Sequence, residues 1–212
     1  DALGGLDLAQ ARSADPVAVS KLLTGTTRND DAAAMVKWAQ VLADLDDRET
    51  NYYDGVIALA QSIKARAADD GGPIPNEHLM LCVVGHLIDE PPKRWTGPRV
   101  GKLAGMRFAL GSEFFRNLGW NGFKPDRHVI RLLSCWAADL VEQQADTANR
   151  LTLLTGRNTT ALRAILRYSL AAIAISPCGN YSRADNFIWL LGANVETKRK
   201  GCQQGATRYI TR

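Results

Sequence analysis

The chain has 212 residues and a mass of 23.1 kDa, 46% of it hydrophobic and 23% charged. That composition fits one compact unit or two small helical lobes and excludes disordered, collagen-like and disulfide-scaffold classes. A formal net charge of +4 with a pI near 9.0 is a mild bias that many enzymes share, so the distribution of charge decides its meaning.

The first residues carry no basic stretch followed by an apolar one, so no secretory signal is legible and a cytoplasmic, nucleoid-associated location is the default expectation. Strand patterns are nearly absent, and helical periodicity dominates. Asp30 or Asp31 can cap a helix through Ala32, Met35, Val36, Ala39 and Leu42. A second helix is expected over Asn51 to Ala68, with Tyr52, Val56, Leu59, Ala60 and Ile63 on one face. It ends at the breaker of Asp69 to Pro75, the best candidate boundary between lobes. Glu77 to Ile88 reads as a helix apolar on most sides, hence buried in a bundle.

After the stop at Asp89 to Pro92 comes a Gly/Pro/basic stretch, Lys93 to Gly101, then a helix expected over Lys102 to Leu118 and a turn at Gly119 to Gly122. Pro125 precedes a helix expected over Arg127 to Gln144, with Val129, Leu132, Leu133, Trp136, Leu140 and Val141 facing inward. Thr159 or Thr160 caps a helix reaching Ile175. Its apolar run is interrupted by Arg163, Arg167 and Ser169 and falls short of the roughly 20 residues that span a membrane. A further helical turn or two is expected over Asn186 to Leu191, and the tail from Lys198 is polar and basic. The fold class is therefore all-α and two-lobed: an N-terminal helical region at 1–72, a central unit at 73–145 and C-terminal helices at 146–212 packing back on the first lobe.

Between Lys93 and Arg131 stand nine basic residues, Lys93, Arg94, Arg99, Lys102, Arg107, Arg116, Lys124, Arg127 and Arg131, against two acids, Glu113 and Asp126. Basic side chains mixed with glycines and with Trp95 and Trp120 suit a phosphate backbone: charge releases counterions, and glycine lets the main chain come close. The bland alternative is a solvated charged face. Two features favour the binding reading. Trp95-Thr-Gly-Pro-Arg-Val-Gly-Lys-Leu-Ala104 puts Gly97 and Gly101 before the expected helix, whose free N–H groups would meet one phosphate. The second is Lys124-Pro-Asp-Arg-His-Val-Ile-Arg-Leu-Leu133, with Asp126 at a helix N-cap.

In this central segment the chain resembles the helix–hairpin–helix DNA glycosylase superfamily, which includes endonuclease III and the 8-oxoguanine glycosylases. The family's motif (V/L)-D-x-H-V-x-R-(L/V) is matched by Pro125-Asp-Arg-His-Val-Ile-Arg-Leu132 at every position but the first. The resemblance covers about residues 77–145. It implies a helix–hairpin–helix-like catalytic core at 73–145, with Asp126 as the catalytic aspartate and Lys102 near the nucleophilic lysine of lyase-competent members. The hairpin departs from the usual Gly-x-Gly-x-Lys, because Gly97 and Gly101 are four apart and Lys102 follows at once.

The implied activity is base excision: a DNA N-glycosylase, bifunctional as an AP lyase if Lys102 is the nucleophile, acting on a damaged base such as an oxidised purine like 8-oxoguanine. The partner is double-stranded DNA carrying that base. Gly97, Arg99, Gly101, Arg107, Lys124, Arg127, His128 and Arg131 contact DNA, and Trp95 or Trp120 is the base-pocket or wedge aromatic. Trp38, Trp136 and Trp189 fall on helical stripes and read as core. The four cysteines, Cys82, Cys135, Cys178 and Cys202, stand singly with no C-x-x-C pair and read as reduced bystanders. No metal, cofactor or iron–sulfur cluster is expected, and the protein is expected to be a monomer. The competing reading is a non-catalytic helical nucleic-acid-binding protein.

Overall fold

The computed structural model describes residues 7–90, 92–176 and 179–194. Among the described residues the chain is all-α, with no strand. The helices are α1 (Leu8–Ala11), α2 (Pro16–Ser20), α3 (Arg28–Asp46), α4 (Tyr52–Asp69), α5 (Asn76–Leu87), α6 (Phe108–Asn117), α7 (Arg127–Trp136), α8 (Ala138–Gln143), α9 (Ala145–Leu154), α10 (Thr160–Ala174) and α11 (Tyr181–Asn194). No helix among them is long and apolar enough to cross a membrane.

Apart from a minor cluster of Val19 from α2 with Ala32 and Val36 from α3, burial organises α4 to α11 around two main clusters. The larger surrounds α5, whose residues from Leu79 to Leu87 are all buried, as its unbroken apolar sequence requires. Leu59 and Ile63 of α4, Phe115 of α6, Leu151 and Leu154 of α9 and Leu162 and Leu166 of α10 close over it. Each such side chain removed from water contributes about 1.5–3 kcal/mol. The smaller cluster joins α7 to α11 through Val129, Leu132, Leu133 and Ile188. The helix common to both is α10, which gives Leu166 and Leu170 to the first and Tyr168, Ala171 and Ala172 to the second.

Two arginines finish helices that the sequence ends abruptly. The last carbonyls of a helix have no partner within it. Arg150 of α9 donates to the carbonyls of Ala67 and Gly72, beyond which Gly71 and Gly72 turn the chain at φ +118° and +104°. Arg157 donates in the same way to the carbonyls of His86, Asp89 and Glu90 after α5.

Several expectations need correction. The expected cap at Asp30 or Asp31 lies inside α3, whose N-cap is Thr27; Asp31 instead accepts from the Thr27 hydroxyl at 2.8 Å. The helix expected from Lys102 begins only at Phe108, because Gly105 sits at φ +70° and Arg107 is extended at φ −119° and ψ 171°. The helix expected over Arg127 to Gln144 is divided at Ala137, at φ −140° and ψ 35°. One turn earlier the Ser134 hydroxyl bonds back to Ile130 O at 2.7 Å, a contact that bends helices. Trp136 and Trp189 are not core: they are 61% and 41% exposed. Cys135 is disulfide-bonded, against the reading of reduced thiols, whereas Cys82 is free and buried. Cys178, Cys202 and the tail from Lys198 lie outside the described residues. Helices α1, α2 and α9 had no counterpart among the expected elements, and α11 is longer than the turn or two foreseen.

Candidate nucleic-acid groove

Asp126 owes its place to its own neighbours. Its backbone is extended, φ −81° and ψ 177°, so α7 begins behind it and its Oδ1 accepts the N–H groups of His128 at 2.9 Å and Val129 at 3.0 Å. This is the N-cap arrangement the sequence implied, and it fixes the carboxylate's direction. The Lys124 ammonium stands 3.9 Å from Asp126 Oδ2 and 3.4 Å from Glu113 Oε1. Both Asp126 and Lys124 keep only 17% of their side-chain exposure. Lys124, expected as a DNA contact, thus balances two carboxylates.

The cap opens on a groove of about 760 Å³. Lys102, Met106 and Arg107 line it from the segment before α6, and Asp126, Arg127 and His128 from the start of α7. Ile88 of the α5 C-cap and Leu162 and Ile165 of α10 add apolar surface, and Trp189 of α11 adds an indole. Lys102 and Asp126, far apart in sequence, therefore face one space. Arg107 and Arg127 are exposed at its edge. Its size falls in the range of about 300–1,000 Å³ usual for ligand pockets.

The far wall is docked by three contacts. Arg116 of α6 forms a buried ion pair with Asp185 of α11, the two side chains 10% and 1% exposed. Gly192 lets α11 rest on the first turn of α7: a Cβ there would lie 2.5 Å from His128 O. The His128 ring meets Trp189 edge-on at 5.6 Å, and its Nε2 accepts from Arg127 Nε at 3.2 Å. Burial pushes the Asp185 carboxyl up to about 6; Arg116 and Lys124 oppose that rise, and Asp126 adds to it. One Asp185 oxygen, Oδ1, has no hydrogen-bond partner.

The remaining expected site residues are not gathered here. Trp95 is 4% exposed, packed at 4.5 Å on His86 with the Arg66 guanidinium 4.6 Å over its ring, so it cannot enter a duplex. Trp120 is half-buried against Phe115, its indole N–H donating to Tyr53 OH at 2.8 Å. Gly97 is packed between Trp95 and Ser62; Gly101 and Arg99 are exposed, and Arg131 is half-buried outside the groove lining. Trp189, which lines the groove with Phe108, is the tryptophan there that sequence reasoning missed. Its signal was Gly192, three residues on, whose missing Cβ brings the helix down on His128.

His86 is fully buried, with Nδ1 3.0 Å from Thr155 O and Nε2 unpartnered. Burial, with Arg157 and Arg66 nearby, holds its pKa below the usual histidine value. Among the described residues no group of three or more His, Cys, Asp or Glu side chains is placed to hold a metal ion.

The groove can offer fixed positive charge at its rim, a carboxylate and an ammonium in its lining, and an aromatic surface for a planar group. No protein-family model, curated protein or solved structure matches the chain.

Proposed function

We propose that the protein is a DNA repair glycosylase that binds a duplex across this groove and removes a damaged base, with an oxidised purine as the first class to test. The observation that carries the reading is that Lys102 and Asp126 line one groove, with Arg107 and Arg127 at its edge and Trp189 within it. The rim arginines would neutralise backbone phosphates without reading sequence. The extruded base would lie against Trp189, a contact that offsets part of the few kcal/mol lost on unstacking.

In the reaction, the bond between base and sugar breaks and the base leaves with the bonding electron pair and takes up a proton. Positive charge develops on the sugar, and the Asp126 carboxylate, held in direction by its two backbone N–H groups, stabilises it. In the lyase form the Lys102 amine attacks the anomeric carbon. The sugar ring then opens to a Schiff base, and loss of the adjacent C2′ proton expels the 3′-phosphate. In the hydrolase form water takes the place of the amine.

Borohydride present during turnover on lesion-bearing duplex should reduce the Schiff base to a stable protein–DNA adduct, absent in Lys102→Ala. Base release without any adduct from the wild-type chain would assign the attack to water. Duplex binding with no release from any lesion would leave a non-catalytic nucleic-acid-binding protein.

A further inference from the structure

The segment between Gly97 and α6 has no regular secondary structure, yet it follows a repeat of three residues. In Pro98-Arg99-Val100, Gly101-Lys102-Leu103 and Ala104-Gly105-Met106, the third side chain, Val100, Leu103 or Met106, is buried in the main core. The carbonyl of each first residue accepts from an aromatic donor. Trp95 Nε1 reaches Pro98 O at 3.0 Å, Tyr52 OH reaches Gly101 O at 3.1 Å, and Trp38 Nε1 reaches Ala104 O at 2.6 Å. Within the segment the only backbone hydrogen bond among the described residues is the turn from Met106 N to Leu103 O at 3.1 Å, closed through Gly105 at φ +70°, so these three carbonyls find their partners on side chains outside it.

The peptide bonds are trans. In a trans peptide the C=O of one residue and the N–H of the next point in opposite directions. Tying the carbonyls of Pro98, Gly101 and Ala104 to buried or half-buried rings therefore turns the N–H groups of Arg99, Lys102 and Gly105 the other way. None of these three donates a hydrogen bond among the described residues. The same residues carry exposed Arg99 and half-buried Lys102, with exposed Arg107 just beyond. Burial pushes the Tyr52 phenol up to about 12, so it remains a donor across the working pH range.

We propose that Trp38, Tyr52 and Trp95 are positioning residues for the groove: by holding three carbonyls inward they present the N–H groups of Arg99, Lys102 and Gly105 to the phosphates of bound DNA and hold the Lys102 side chain at the groove. This role rests on the polyanion reading of the groove. It gives Trp95 a function at the site that needs no contact with a base.

Tyr52→Phe is the cleanest test, since it removes one hydroxyl and keeps the ring. Affinity for a short duplex should be measured well below the melting temperature, in Tyr52→Phe, Lys102→Ala and the double variant. Loss of one hydrogen bond should weaken binding about fivefold. In the Lys102→Ala background the same change should still weaken binding but by less, because the backbone N–H groups remain while the Lys102 side chain that the segment holds at the groove is gone. A purely structural tyrosine would lower the melting temperature and leave affinity and coupling unchanged. Trp38→Phe, which keeps an edge for the contact with Phe114, should repeat the pattern. Wild-type binding with Tyr52→Phe and Trp38→Phe both indistinguishable from it would overturn the positioning role alone. Failure of the wild-type chain to bind duplex in a salt-dependent way would remove the groove reading itself and this role with it.

Discussion

Asp126 and Lys102 face the same groove but are held there in different ways. Asp126 is fixed within a few residues: Pro125 before it, and the His128 and Val129 N–H groups after it. Lys102 sits on a segment with no helix of its own, fixed by donors 49 and 66 residues away, Tyr52 on Gly101 O and Trp38 on Ala104 O. One wall is determined locally and the other by tertiary structure, and damage to each should spread differently.

The largest effect is expected at Trp95. Its ring fills the space between His86, Gly97 and Gly156, and removing it leaves a cavity and frees Pro98 O. Trp95→Ala should cost about 3–5 kcal/mol in denaturant unfolding, as for large-to-small core changes generally. A loss below about 1 kcal/mol would mean that the segment supports itself, and the contrast between the walls would fail.

Asp126→Ala removes only a cap and should cost about 1 kcal/mol, whereas Asp126→Asn, an equally good capping residue, should leave unfolding nearly unchanged. Equal losses in both variants would show that the carboxylate's charge, and not its capping, secures α7.

The third wall should answer to pH. Asp185, on the helix that carries Trp189, has its carboxyl raised to about 6 by burial, above the ordinary 3.8. The folded state therefore binds this proton more tightly than the unfolded chain does. Its stabilising contribution is complete below about 3.8 and is lost as pH rises through about 6. Asp185→Asn should flatten stability against pH across that window in thermal melts. An unchanged slope would place the titration elsewhere.

The same contrast explains what could be read from sequence. The cap at Asp126, the helix over Asn51 to Ala68 and the buried α5 were legible because capping chemistry and apolar periodicity act over a few residues. The helix expected from Lys102 was not. The Gly101 and Ala104 carbonyls that would have continued it are taken by Tyr52 and Trp38, which no local pattern announces. Trp95 and Trp189 were exchanged for a related reason. Proximity to arginines suggested that Trp95 was exposed, and helical spacing suggested that Trp189 was core. The packing of α5 and the backbone contact at Gly192 reverse both.

The central claim is that this groove performs chemistry on a base in DNA with Asp126 as its essential carboxylate. It is tested most directly by free-base release from a panel of lesion-bearing duplexes, with duplex affinity measured alongside, for the wild-type chain and Asp126→Asn. The account predicts release from at least one lesion by the wild-type chain. In Asp126→Asn it predicts a fall of about 10²-fold or more, with affinity and stability close to wild type. Release that is undiminished in Asp126→Asn, or absent from every lesion in a wild-type chain that binds duplex, would contradict it.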